Sequence, residues 1–481
     1  MDSEDWKPDK HTDPPVYQQI AHYIAYKIAR GDLIVGDKLP SQRVLSTQFG
    51  VNRSTIVEAM DELKAMGLLQ GFHSQGTKVI NNTWSSLLSR GTPNWKQYIA
   101  GGLHESNLPT IQTINKLEFD PDYIRLGTGE LSPDLFPRDM FQTILQRLSL
   151  TIHSLQYLEP KGLKELRESL SQYLRTIGID APASNILIVS GALQALQLIS
   201  IGLLSPGSKV YVESPSYLKS LNVFQSFGMK LEGVEMDDAG IIPWLMKPSP
   251  TDQTEILYTI PTYHNPTGVT MSEARRHELL QWSKARQLPI IEDDCYRELW
   301  FDKEPPPSLK SKDQSGMVLY LGSVSKSLAP GLRIGWLVGP ESIIDHLGDI
   351  KMQMDYGSSS VSQWILAEWM QSGLYQQHLS QLRIKLQERR DFTLQLLNRH
   401  LKSHAQWKIP QGGFYIWLKL NSKLSTEKLF KEALQQKVLL NPGSMYDFSK
   451  NQYLRLSYAY ASIEQLEKGI VTLAALIKRY S

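Results

Sequence analysis

Apolar residues recur at helical spacing in YQQIAHYIAYKIARGDL, where Ile20, Ile24 and Ile28 share a stripe with Tyr17 and Ala21, and Gly31 stands where a helix should stop. The next stretch, GDKLPSQRVLSTQFGVNRSTIVEAMDELKAMGLL, predicts two more helices. Ser41 follows Pro40 as an N-cap, Gly50 breaks the first helix, and Asn52 caps the second. Val44, Leu45 and Phe49, then Ile56, Met60 and Leu63, supply the inward faces. Two short helices around a glycine-containing turn make a helix-turn-helix. LLQGFHSQGTKVI, an apolar pair on each side of a glycine-flanked turn, predicts a two-stranded wing. This α+β domain is expected over residues 14–80.

Residues 81–118 have no sustained period. Gly, Pro, Ser and Thr are scattered through them, so they read as a linker, although Trp84, Trp95 and Tyr98 are many aromatics for a free tether. Beyond residue 119 the pattern changes. Short, nearly continuous apolar runs (NILIVS, SKVYVE, TEILYTI, PIIEDD, MVLYLGS) alternate with helical stretches, which predicts a mainly parallel sheet covered on both faces. From about residue 375 a long charged helix, then GGFYIWLKL and YLRLSYA between helices, predict a smaller C-terminal α+β part of a domain spanning 119–481.

Composition narrows this picture only slightly. With 41% hydrophobic and 21% charged residues in 481, and a formal net charge of +2, the chain has the makeup of an ordinary globular protein of two or three domains. The single cysteine, Cys295, excludes an internal disulfide and fits a reducing compartment. The start, MDSEDWKPDKHTDPP, is acidic where a signal peptide is basic and then apolar, and no run of about 18 apolar residues occurs. A cytoplasmic protein without membrane contact is expected. No metal site is expected either.

In the first domain Arg53, Ser54 and Thr55 open the second helix of the helix-turn-helix. Residues there reach base edges, and the backbone amides face phosphate. Arg43 on the preceding helix, with His73 and Lys78 on the wing, could grip phosphate or a guanine. Residues 14–80 hold seven basic against five acidic residues, a mild bias. YQQI, LPSQRVLSTQFGVNRSTI and the closing GTKV, with the spacing of Pro40, Ser41, Arg43 and Arg53, resemble the winged-helix DNA-binding domain of GntR-type bacterial regulators. The resemblance implies a dimer on a two-half-site double-stranded DNA operator.

In the large domain, polar residues at the carboxyl ends of strands mark the candidate site. Gly191 and Ala192 in VSGALQA open a helix, a seat for phosphate on backbone amides. Tyr217, Asn265, Asp293, Tyr296 and Lys326 follow successive strands. These types suit pyridoxal 5'-phosphate. Lys326 can form a Schiff base with its aldehyde, and Asp293 can keep the ring nitrogen protonated. Asn265 and Tyr296 can bond the ring hydroxyl, Tyr217 can stack on the ring, and Ser323, Ser325 and Arg333 can take the phosphate. The motifs SGALQAL, PSY, HNPTG, EDDCY, SVSKSLAPGLRIGW and LRLSYA resemble the fold-type I aminotransferases. That resemblance implies that Arg455 binds a substrate carboxylate and that Tyr157 reaches the phosphate from a partner subunit. Ala192 stands where relatives often offer a hydroxyl, so the phosphate would rest on backbone there.

A winged helix joined by a linker to such a domain resembles the MocR group of GntR-type regulators. The resemblance implies a head-to-tail homodimer that binds DNA and senses pyridoxal phosphate or an amino compound through aldimine exchange at Lys326, with closure repositioning the winged helices. A working aminotransferase with an accessory DNA-binding domain is the alternative, because every catalytic role is filled. A plain DNA-binding protein whose large domain only dimerises is the third reading.

Overall fold

The computed structural model describes all residues except 1–5, 11, 31, 73–75, 82–108, 153–154, 249–252, 422–423, 450 and 481. The chain divides into two compact units, Met1–Gly102 and Leu103–Ser481. In the first, helices α1 (Val16–Arg30), α2 (Gln42–Phe49) and α3 (Arg53–Ala65) precede an antiparallel pair, β1 (Leu69–Phe72) and β2 (Gly76–Val79). Ile20, Ile24, Ile28, Leu45, Phe49, Ile56, Met60 and Leu63 are buried together. The Ser41 hydroxyl accepts from the Val44 amide, and Gly50 ends α2 in the left-handed region at φ 66°.

Three expectations shift here. Val44 is 53% exposed, because Leu45 and Phe49, one turn apart, set the buried stripe of this eight-residue helix and Val44 lies beside it. Asn52 occupies the N-cap of α3, but its side chain makes no capping bond. The aromatic core also draws in Trp6, upstream of residue 14, which stacks on Tyr23 at 4.2 Å and meets Phe49 edge-on at 5.7 Å.

In the second unit, the helix Pro109–Leu117 buries Ile111 and Ile114 in the large core, so the C-terminal end of the expected linker belongs to this unit. Two residues, Ile124–Arg125, form β3. The main sheet then comprises β4 (Ile186–Val189), β5 (Lys209–Ser214), β6 (Lys230–Asp237), β7 (Gly240–Ile241), β8 (Glu255–Thr259), β9 (Ile290–Asp293), β10 (Val318–Ser323) and β11 (Gly335–Val338). Their spatial order is β4-β11-β10-β9-β8-β5-β6-β7, with antiparallel pairing only where β11 or β7 takes part. Alternation explains the unbroken apolar runs. On β4, Leu187 and Val189 face one core with Leu196 and Ile199, while Ile186 and Ile188 face the other with Leu166 and Trp369.

The smaller part follows the 28-residue helix Leu374–Leu401. Strands β12 (Ala405–Gln406), β13 (Tyr415–Leu420), β15 (Asn441–Pro442) and β16 (Tyr453–Ser457) form an antiparallel sheet in the order β12-β13-β16-β15. Between them β14 (Val438–Leu439) pairs in parallel with β3, so a strand that precedes the main sheet in sequence is built into this C-terminal part. Among the described residues, no helix is long and apolar enough to cross a membrane.

Phe49 is 4% exposed and joins both the aliphatic and aromatic contacts of the first unit. Phe49→Ala is expected to cost that unit about 3–5 kcal/mol, a large share of what so small a core provides. Calorimetry of the full chain should show its N-terminal transition lowered or lost while that of the large unit holds. An unshifted transition would contradict the packing described.

Candidate cofactor and DNA-binding sites

Lys326 lies just past the end of β10, in the turn that leads to β11. Its Nζ donates to the Gly129 carbonyl at 2.6 Å. Burial works against the ammonium. The negative charge available from Tyr415, Tyr217, Cys295 and Glu130 more than reverses this, and Lys326 titrates above the ordinary lysine value. The long helix braces the same turn through two residues on one face. Tyr375 OH lies 2.8 Å from the Ser327 hydroxyl, and His378 Nε2 lies 2.9 Å from the Ser327 carbonyl.

One cavity, with Lys326 in its lining, also takes in Tyr217, Asn265 and Arg455 and is rimmed by Ile114 and Glu118 at the end of helix Pro109–Leu117. Arg455, on β16, spans the two parts of the unit. Nη1 donates to Asn265 Oδ1 at 2.8 Å and Nη2 to the Gly127 carbonyl at 2.6 Å, and the guanidinium lies over the rings of Tyr415 (4.2 Å) and Tyr446 (4.7 Å). Gly127 is required by closeness, since a β-carbon there would fall 2.1 Å from Asn441 Oδ1. Asn265 Nδ2 is 3.5 Å from Tyr296 OH, which in turn lies 2.9 Å from Tyr415 OH. The Tyr217 ring stacks loosely on Tyr446 at 6.4 Å.

Asp293 ends β9 and is buried. Tyr258 OH donates to its Oδ2 at 2.7 Å, and the Cys295 amide reaches Oδ1 at 3.4 Å. Burial raises the Asp293 carboxyl above the ordinary carboxylate value, while hydrogen bonds from Tyr258 and Cys295 favour the ionised form.

Another group of predicted residues gathers at the start of helix Ala192–Gly202. Gly191, at φ 85°, is its N-cap, and a β-carbon there would stand 2.7 Å from Arg333 Nη2. Arg333 itself ends a short turn with a left-handed φ of 53° and donates to the Ser190 carbonyl at 3.0 Å. Ser323 bridges the lysine turn, with its hydroxyl 3.1 Å from the Ile334 carbonyl and 3.0 Å from the Ser325 hydroxyl. Ser190 and Ser358, whose hydroxyls lie 3.1 Å apart, add hydroxyls beside Arg333 that the sequence reading missed. Tyr157 lies outside the cavity lining and is 82% exposed, with its ring 5.0 Å from Tyr356. The wide groove beside helix Glu273–Arg286 contains none of the predicted site residues.

In the first unit Arg43 and Arg53 are exposed and line one depression with Lys38, Ser41, Gly76 and Thr77. Gln42 Oε1 accepts from Arg53 Nη2 at 3.3 Å. Ser54 is exposed and Thr55 half-buried at the start of α3. Lys78 on β2 lies over the Phe72 ring at 5.6 Å. His73 falls outside the described residues.

Comparison with known proteins matches these two halves separately. Residues 16–79 fit the model of bacterial regulatory proteins of the gntR family, and residues 121–473 fit aminotransferase class I and II. The HTH-type transcriptional regulator YdfD of Bacillus subtilis is 51% identical over 96% of both chains. NorG of Staphylococcus aureus, also named an HTH-type transcriptional regulator, is 34% identical over 92% of this chain and 100% of its own. Among solved structures, kynurenine aminotransferase of Pyrococcus horikoshii superposes with a TM-score of 0.74 at 31% identity, covering 82% of this chain and 98% of its own. An archaeal alanine:glyoxylate aminotransferase reaches 0.76 at 29% identity, covering 81% and 100%. The large unit therefore has the fold-type I aminotransferase architecture. The chain belongs to the GntR-type regulators that carry an aminotransferase class I and II domain, the MocR type.

The donor set fits pyridoxal 5'-phosphate, the cofactor the fold implies. The chain offers a lysine amine, a buried carboxylate with its own donors, an amide and a phenol beside the cavity, and a guanidinium next to a glycine N-cap that a side chain would crowd.

Burial holds His378 near pKa about 4, below the ordinary 6.5, so folding favours its neutral form. As pH falls below about 6.5 the unfolded chain takes up this proton first, and stability should drop by a few kcal/mol until about pH 4. Urea denaturation across this range checks the slope, and His378→Gln, which keeps a donor for Ser327, should flatten it.

Proposed function

We propose that the protein is a DNA-binding transcriptional regulator that holds pyridoxal 5'-phosphate at Lys326 and responds to an amino compound. The observation carrying this reading is that Lys326, Asn265, Tyr217 and Arg455 line one cavity of a chain that also bears a winged helix with Arg43 and Arg53 exposed. When bound, the cofactor supplies an aldehyde that captures primary amines and a ring that withdraws electrons. The chain's own residues do the rest. Lys326 would provide the amine for attachment, Asp293 as a carboxylate would accept a hydrogen bond from the protonated ring nitrogen, Asn265 and Tyr296 would bond the ring oxygen, and Tyr217 would cover the ring. Arg333, Ser323, Ser325 and the amides of Gly191 and Ala192 take the phosphate.

Arg455 would hold an effector carboxylate. It sits on β16 of the smaller part and bonds Asn265 of the larger, so an anion there bears on both parts at once. For such binding to reach DNA, one arrangement of the chain must be favoured by about 1–3 kcal/mol. A homodimer fits the exposure of Leu150 (80%) and Leu155 (60%) beside Tyr157. In that assembly Tyr157 would serve the phosphate of a second copy. On DNA, Arg53, Ser54 and Thr55 would face base edges, with Arg43 and Lys78 on the backbone.

The filled set of roles also supports a working aminotransferase with an accessory DNA-binding unit. Sustained conversion of an amino acid and a 2-oxo acid favours that reading, whereas a single exchange that alters DNA binding favours the sensor. Spectroscopic titration with candidate amines, run beside a DNA-binding assay, separates the two.

Lys326→Ala should abolish borohydride-trapped attachment of pyridoxal phosphate, read by mass spectrometry. Labelling that persists removes Lys326 from its role. Arg53→Ala should weaken specific DNA binding by about 1–3 kcal/mol in fluorescence anisotropy. Full affinity in that variant would overturn the recognition-helix assignment.

A further inference from the structure

Tyr258 is the last residue but one of β8, a central strand of the main sheet. Ile256, Tyr258 and Ile260 face one core, and Leu257 faces another. Across the sheet Tyr258 pairs with Ile291, whose neighbour on the same face two residues on is Asp293. A phenylalanine would fill this apolar face as well as tyrosine does. What the hydroxyl adds is one bond, to Asp293 Oδ2 at 2.7 Å.

That bond addresses a physical difficulty. Asp293 is 7% exposed, and a buried carboxylate tends to pick up a proton unless donors stabilise its charge. A neutral acid cannot serve as the anionic partner of a ring nitrogen. The Cys295 thiol and amide help too, though the amide, at 3.4 Å, is the longer contact, and the bond from Tyr258 is the largest of the favouring hydrogen bonds. Tyr258 is itself 1% exposed, and burial together with the Asp293 charge pushes its phenol well above the ordinary tyrosine value, so it remains a donor.

We infer that Tyr258 is a positioning residue that, by donating to Asp293, holds this carboxylate as the anion that keeps the cofactor's ring nitrogen protonated. The inference rests on the cofactor reading given above. Tyr258 needs no contact with the cofactor, since it acts through Asp293.

The test compares pyridoxal 5'-phosphate with its 1-deaza analogue, in which a ring C–H replaces the nitrogen and nothing is left for Asp293 to hold protonated. Both are titrated into the full-length wild-type chain and Tyr258→Phe, with binding followed by absorbance and folding by circular dichroism. The variant is expected to bind pyridoxal phosphate ~10-fold or more weakly, the scale of one hydrogen bond to a charged group, and the deaza analogue with wild-type affinity. In an Asp293→Asn background, removing the hydroxyl should have no further effect.

Pyridoxal phosphate affinity within about twofold of wild type overturns the inference, because it falls short of one such bond. Equal weakening of both compounds also overturns it, since that is what a merely structural tyrosine would produce. If Tyr258→Phe does not fold, a fluorinated tyrosine placed at 258 alone gives a more acidic phenol and a stronger donor. It must raise the preference for pyridoxal phosphate over the analogue, and an unchanged preference overturns the inference. A wild-type chain that binds neither compound overturns the cofactor reading and this inference together. Wild-type binding with an unaltered preference in the variants overturns this inference alone.

Discussion

Two cationic side chains, Arg455 buried and Lys326 half-buried, meet at one junction, and the carbonyls that receive them lie two residues apart. Lys326 donates to Gly129 and Arg455 to Gly127, so a short segment after β3 sets the distance between the amine that would hold the cofactor and the guanidinium that would hold an effector's carboxylate. Burying such charges is costly unless hydrogen bonds replace water. A side chain at 127 would run into Asn441, which accounts for the glycine there. The main sheet brings Lys326 from the end of β10, the smaller sheet brings Arg455 on β16, and β3 joins them through β14.

In the proposed function the same junction would relate capture to signalling. Lys326 and Asn265 belong to the larger part, Arg455 to the smaller, and Asn265 already bonds Arg455. A ligand carrying both an amine and a carboxylate would engage the two parts at once, whereas an amine alone would engage one. The proposed site would thus read an amino acid at two points whether or not turnover follows. The winged helix would give that reading an output on DNA.

Much of this was legible in the sequence because the signals are local. Strand-end residues such as Asp293 and Lys326 sit at the edge of apolar runs, Ser41 and Gly50 mark helix ends by their own chemistry, and the motifs around Asn265 and Arg333 are contiguous. What escaped depends on distant partners. The bonds from Lys326 to Gly129 and from Arg455 to Gly127 join residues 197 and 328 positions apart, so neither leaves a local trace. Helix Pro109–Leu117 was hidden in a polar stretch, and only the core it covers reveals its Ile111 and Ile114 as a buried face. Val44 shows the opposite error, an apolar residue counted inward that its neighbours leave at the surface. Tyr258 falls within the apolar run TEILYTI, but nothing local distinguishes its hydroxyl from packing.

The parallel pairing of β3 with β14 orders events during synthesis. The N-terminal unit closes through contacts among neighbours in sequence and can fold while the rest is still being made, whereas β3 must wait for a strand translated hundreds of residues later. The DNA-binding unit therefore emerges from the ribosome before the junction that would hold the cofactor can form. A nascent or truncated chain that bound DNA would do so without the proposed sensing site.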